Sequence, residues 1–174
     1  TITSRCCEAY LSRLYALLKD RFPQFTLLEW SHLADLRAQD AGPTKVIHRG
    51  SIGLPDSGMV EVKEWGLKYK ADPFGGSSVG FYPDQRENRR RLRAVVKPGQ
   101  RWLNLFCHTG AFSATLLSLG ASVVSVDTSG KYLKWLEENL QLNDLQGEHQ
   151  IVRKDSRDAL RGFDKPFDGI VVDP

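Results

Sequence analysis

Residues 101–127 read RWLNLFCHTGAFSATLLSLGASVVSVD, and this stretch decides the fold. Trp102–Phe106 is a short apolar run bounded by turn residues, which predicts a buried strand. Phe112–Leu119 is closed by Gly120 and predicts a short helix. Ser122–Val126 is β-branched and predicts a second strand. Strand, helix and strand in succession imply parallel pairing in an α/β sheet. The rhythm continues downstream. Ser129–Asn143 carries Leu133, Leu136 and Leu140 at helical spacing, and Gln150–Arg153 and Gly169–Val172 read as two further strands.

The loop between the first strand and helix, Asn104–Gly110, would lie at the carboxyl end of the sheet, where open parallel sheets bind their ligands. Gly110 would let the backbone approach a ligand closely. One glycine does not make the three-glycine dinucleotide fingerprint, and no phosphate-binding loop of the NTPase type is present. Asp127 follows Gly110 by seventeen residues and ends the next strand. A carboxylate there is placed to accept two ribose hydroxyls. Asp155 and Asp173 end the next two strands, so three acids line one rim. Each acid alone is as readily a turn residue or helix cap. Their conjunction in strand order points to a nucleoside-containing ligand.

The rest of the chain is less regular. Residues 8–22 carry Leu11, Leu14, Leu18 and Phe22 on one helical stripe, ended by Pro23. Phe25–Arg37 is ambiguous and Gln39–Pro43 reads as a loop. Lys45–Ala71 alternates in short runs punctuated by glycine, which predicts one small antiparallel sheet. Asp84 is a candidate N-cap, with Glu87 completing a capping box, for a helix to about Val96. The expected division is therefore an α+β region, 1–71, and the start of an α/β domain, 72–174.

Composition sets the outer bounds. The chain has 174 residues, 24 Lys+Arg against 21 Asp+Glu, and a net charge of +3. This is an ordinary globular composition that excludes an acidic disordered chain. No apolar run approaches a membrane span, and the start has no signal-peptide layout. The three cysteines, Cys6, Cys7 and Cys107, have no metal-site spacing, so no metal is expected, and they suit a reducing, cytoplasmic compartment. The ending at Val172-Asp-Pro174 reads as a strand entering a loop, so an incomplete domain is expected. Nothing in the sequence sets an oligomeric state.

Several segments together resemble the class I S-adenosylmethionine-dependent methyltransferases. They are Asn104–Ser113, Ser125–Ser129, Tyr132-Leu-Lys-Trp135 with Asn139 and Asn143, Asp155, and Val172–Pro174. Gly80-Phe-Tyr-Pro-Asp-Gln-Arg86, with Asn88 and Arg89, is similar to the signature of the large-subunit ribosomal RNA methyltransferase group. That group methylates guanine N7 or cytosine C5, and the helix holding Trp135 leans toward the guanine members. The resemblance implies a Rossmann-like sheet and S-adenosylmethionine as cofactor. It also implies that Phe106, Cys107, His108, Thr109 and Gly110 wrap the methionine and ribose part. Asp127 with Thr128 would meet the ribose, and Asp155 with Ser156 the adenine. Gln85 and Arg86 would lie over the pocket, with Arg86 pairing to the cofactor carboxylate. Asp173 would stand near the target base. Cys107 lies in the cofactor loop and is not the nucleophile that cytosine C5 members need.

Arg86, Arg89, Arg90, Arg91 and Arg93 are five arginines in eight residues. At helical spacing most of them share one face that can meet RNA phosphates, with Arg89, Arg90 and Arg93 as RNA-binding candidates. A solvated helix face is the plainer reading of such a cluster. Trp65, Phe74, Phe81 and Tyr82 are candidate base-stacking aromatics, with a core position the favoured reading for Trp65 and Phe74. His108 is expected to stack on or bond the cofactor, and His32 and His149 have no evident partner. Two other functions stay open: methyl transfer to a small molecule or protein, and cofactor binding without activity.

Overall fold

The computed structural model describes residues 8–29, 45–53, 58–74 and 78–174. They divide into two units. One comprises the residues up to Val60 together with Asp72–Val79, and the other Glu61–Ala71 with Gly80–Pro174. Cys6, Cys7, His32 and the expected loop at Gln39–Pro43 lie outside the described residues.

In the first unit, helix α1 (Glu8–Arg21) ends before Pro23, as the proline requires. Strand β1 (Leu27–Glu29), from the ambiguous stretch, pairs antiparallel with β2 (Lys45–His48).

The second unit opens with a hairpin, β3 (Val60–Glu64) and β4 (Leu67–Ala71). Two separate two-stranded sheets therefore replace the single small sheet expected over Lys45–Ala71. The expected division at 71/72 is also displaced, because side chains bind the hairpin to the α/β part. Asn143 accepts the N–H of Lys68 through Oδ1 and donates to its carbonyl through Nδ2, both at 2.7 Å. Asn139 accepts the N–H of Lys70 at 2.9 Å and donates to the carbonyl of Thr109 at 2.9 Å. The two asparagines stand four apart on one helix face and satisfy the edge of β4 as a neighbouring strand would.

A single 3-10 turn (Pro83–Gln85) leads into α2 (Arg86–Val95). The helix is capped one residue later than expected, at Gln85, and Asp84 makes no capping bond. Pro83, with its fixed φ and missing N–H, starts the turn instead. Then follow β5 (Arg101–Leu105), α3 (Ala111–Ser118), β6 (Ser122–Asp127), α4 (Gly130–Leu142), β7 (His149–Arg153), α5 (Ser156–Leu160) and β8 (Gly169–Val172). The four strands form one parallel sheet in the order β7-β6-β5-β8. Leu103, Leu105, Val124, Val126 and Ala159 form a core cluster with Val152, Phe163 and Phe167 packed against it. Burial of nearly every residue of β5 and β6 explains why they read as continuous apolar runs rather than alternating ones.

A polar line crosses this buried layer. Asn104 Nδ2 donates to Ser113 Oγ at 2.8 Å, Ser113 and Ser125 hydroxyls lie 2.7 Å apart, and Ser125 Oγ is 2.8 Å from His149 Nε2. With donors running outward from Asn104, Nε2 of His149 is an acceptor, which requires a neutral ring. Burial pushes the His149 pKa below its ordinary value in the same sense. A depressed histidine is protonated first in the unfolded chain, so its contribution is fully present above about pH 6.5 and is lost as pH falls below that. Burial lowers His108 too, although the nearby Asp127 charge opposes the shift. His149→Gln should therefore remove part, not all, of the stability loss between about pH 7 and 5. Thermal unfolding of both proteins across that range checks it, and equal acid-side slopes would contradict it.

Candidate functional site

The sheet order places the site. The chain steps outward from β5 to β6 to β7 and then returns to lay β8 on the other side of β5. Such a reversal leaves a crevice at the carboxyl ends of the two strands that flank it. The crevice is present as a cleft of about 460 Å³, within the roughly 300–1,000 Å³ of small-ligand sites. The loop after β5, the ends of β6 and β8, and the segment Gly80–Gln85 all line it.

The loop after β5 is wound tightly, with φ of +56° at Phe106, +48° at His108 and +83° at Gly110. Two of these are bulky non-glycine residues, and such strain persists only where the surroundings over-determine it. Here Cys107 N–H donates to the Val126 carbonyl at 3.0 Å, and His108 N–H donates to Asp127 Oδ2 at 2.9 Å. Gly110 has a packing reason beyond its φ: a Cβ there would collide with Leu136 of α4. Gly110 itself is not among the residues that line the cleft. Gly80 is constrained likewise, since its φ is +84° and a Cβ would strike the ring of Trp135. Trp135 thus serves as the packing surface for Gly80, and the Thr109 hydroxyl donates to the Gly80 carbonyl beside it.

Asp127 carries the electrostatics of the cleft. Its Oδ2 accepts from His108 and its Oδ1 accepts the Ser129 N–H at 2.8 Å. Two fixed donors orient the carboxylate, and each oxygen keeps a further lone pair for a hydroxyl. Aromatic rings form a wall: His108 lies 4.0 Å from Tyr132 and 5.5 Å from Tyr82 between ring centroids. Phe106 is 43% exposed, so a large apolar ring stands open to the cleft. On the opposite rim Gln85 Nε2 donates to Asp173 Oδ1 at 3.1 Å, and Asn88 donates to Gln85 Oε1 at 2.6 Å. Asp173 is thereby tied to the segment before α2.

The structure thus brings Gln85, Phe106, Cys107, His108, Thr109, Asp127, Thr128 and Asp173 to one cleft. Asp84 and Tyr132 also line it and are missed by the sequence reading, because neither stands out from a surface acid or a helix aromatic. The structure places the other expected residues outside the cleft lining. Asp155 and Ser156 are not in the lining: Asp155 is the N-cap of α5, accepting the Arg157 N–H at 2.9 Å. Arg86 does not reach the cleft either, and its guanidinium lies 4.7 Å from the centre of the Trp65 ring. Arg89 is not an RNA-facing residue but is buried against Glu64 at 2.6 Å. Trp65 and Phe74, expected in the core, are 40% and 41% exposed, while Phe81 is buried and stacked on Tyr69.

Residues 60–173 match the TRM5/TYW2 methyltransferase domain. The chain belongs to that family. A ribosomal RNA large subunit methyltransferase of Deinococcus radiodurans is 35% identical over 173 residues, which are 95% of this chain and 41% of the relative. The ribosomal RNA large subunit methyltransferase I of Enterobacter sp. strain 638 is 33% identical over 178 residues, 99% of this chain and 44% of the relative. The chain spans less than half the length of both. Among solved structures, a proposed S-adenosylmethionine-dependent methyltransferase of Streptococcus mutans superposes with a TM-score of 0.79 at 22% identity, covering 98% of this chain and 44% of that one. The fold is that of the class I methyltransferases, as the resemblance implied. In this TRM5/TYW2 domain no described helix is long and apolar enough to cross a membrane. Its described residues contain no cluster of three or more metal-type ligands.

Proposed function

We propose that this chain binds S-adenosylmethionine in the cleft and serves methyl transfer to a base of large-subunit ribosomal RNA. The observation that carries the cofactor reading is Asp127. Its carboxylate is held by two backbone donors at the end of β6, on the wall of a cleft of suitable size. The residues present fit the group: Asp127 to accept ribose hydroxyls, Phe106 and Tyr132 to cover apolar surface, Thr109 and Cys107 to line the loop. The names of the relatives support the RNA substrate.

When bound, S-adenosylmethionine supplies an electrophilic methyl group on a sulfonium. A base held at the mouth of the cleft would offer its lone pair to that methyl carbon, the carbon–sulfur electron pair leaving with sulfur. The chain's share is positioning and exclusion of water. Asp173, held by Gln85, would orient the incoming base at the mouth of the cleft. Guanine N7 already has its lone pair. Cytosine C5 needs a thiolate to add to the ring first, and Cys107 cannot supply it. Its thiol is 5% exposed, and burial, with the Asp127 charge, pushes its pKa far above the ordinary range.

The arginines of α2 favour RNA over a small molecule or a protein as substrate. Arg86, Arg90, Arg91 and Arg93 are exposed. Binding to large-subunit ribosomal RNA fragments should therefore weaken steeply as salt rises, with roughly one counterion released for each phosphate contact. A fluorescence titration at several salt concentrations measures this, and no binding at low salt would contradict the RNA reading.

A further inference from the structure

Trp65 and Gly66 are the two residues of the turn joining β3 to β4. Their φ values are +51° and +86°, the sign pattern of a type I′ hairpin turn. The first position of that turn favours Asn, Asp or Gly, and a bulky aromatic at positive φ is an outlier. Trp65 is nonetheless there, and 40% exposed. The tip stands in open space, since a Cβ built on Gly66 would meet nothing within 4 Å. Turn chemistry and solvation both argue against tryptophan at this point, and an unusual strained residue is where a functional explanation is sought.

The tip is also held. Arg93 Nη2 donates to the Trp65 carbonyl at 2.7 Å, and the Arg86 guanidinium lies 4.7 Å from the centre of the indole ring. Next to Trp65 in the chain, Glu64 forms the buried ion pair with Arg89 that pins the turn end of the hairpin to α2. A strained, exposed indole is thus fixed beside an arginine-rich helix. The only acid in α2, Glu87, is already paired to Arg90 at 2.7 Å.

We infer that Trp65 is a stacking platform for an unpaired base of RNA, with the exposed arginines of α2 holding the flanking phosphates. This rests on the RNA reading above and names the surface that would receive the substrate. Indole suits the task because every base has a π-face, and base–aromatic stacking is insensitive to sequence.

The test compares wild type with Trp65→Asn on two probes. One is an oligoadenylate of about ten nucleotides, and the other an abasic oligonucleotide of the same length and charge. The expected result is roughly tenfold weaker binding of oligoadenylate by Trp65→Asn, with the abasic affinity unchanged. The thermal midpoint should hold or rise, because asparagine suits the turn. Trp65→Phe should keep part of the stacking gain, and Arg90→Ala should weaken both probes alike. Equal oligoadenylate binding by wild type and Trp65→Asn, or equal losses on both probes, would overturn the stacking inference while leaving the RNA reading intact. Failure of wild type to bind either probe at low salt would overturn both.

Discussion

Replacing Arg89 by leucine should cost about 3–5 kcal/mol of folding stability, read as a shift of the urea midpoint. Arg89 is 1% exposed and Glu64 6%. The guanidinium donates through Nε and Nη2 to the two carboxylate oxygens, at 2.6 and 3.1 Å, and through Nη2 to the Tyr82 carbonyl at 2.9 Å. It also lies 5.0 Å from the centre of the Phe81 ring and 5.6 Å from that of Phe112. Removing it leaves a buried carboxylate with no counter-charge, and the cost is that desolvation rather than the worth of the pair. The pairing therefore predicts non-additivity. Arg89→Leu combined with Glu64→Leu should recover most of the loss, because two apolar groups need no partners. A cost below about 1 kcal/mol for Arg89→Leu, or additive losses in the double variant, would contradict this account.

Asp127→Ala should weaken cofactor binding at least about 100-fold while leaving the chain folded. Hydrogen bonds to a charged acceptor contribute about 1.5–3 kcal/mol each, and a ribose offers two hydroxyls. The substitution also frees the N–H groups of His108 and Ser129. His108 sits at a positive φ that its bond to Asp127 helps to hold, so the loop should relax as well. The fold should survive, because Asp127 is only half-buried at a strand end and the β6 ladder does not depend on its side chain.

The α/β half was legible because its signals are local. The apolar runs of β5 and β6, the glycine after α3 and the leucine stripe of α4 each lie within one element. The acids that end strands were legible as a rim, but not which of them faces the cleft. Asp127 stands beside the crevice where the strand order reverses at β5, whereas Asp155 follows the outer strand β7 and caps a helix of five residues, too short for periodicity to reveal. The arginine cluster failed for a different reason. Spacing puts Arg89 on the same face as its neighbours, but Glu64, 25 residues away, and the Tyr82 carbonyl draw it inward. A clue was present in β3. Val60, Val62 and Glu64 alternate onto one strand face, which leaves an acid among apolar residues and in need of a buried cation. The hairpin was misplaced because the asparagines that bind it sit some seventy residues further along the chain.

The central claim is that Asp127 anchors a nucleoside-bearing methyl donor in the cleft at the end of β6. Calorimetric titration of S-adenosylhomocysteine into wild type and Asp127→Ala tests it most directly. The account predicts saturable one-to-one binding by wild type and a loss of at least about 100-fold in the variant. No binding by wild type at millimolar ligand, or equal affinity for the two proteins, would contradict it.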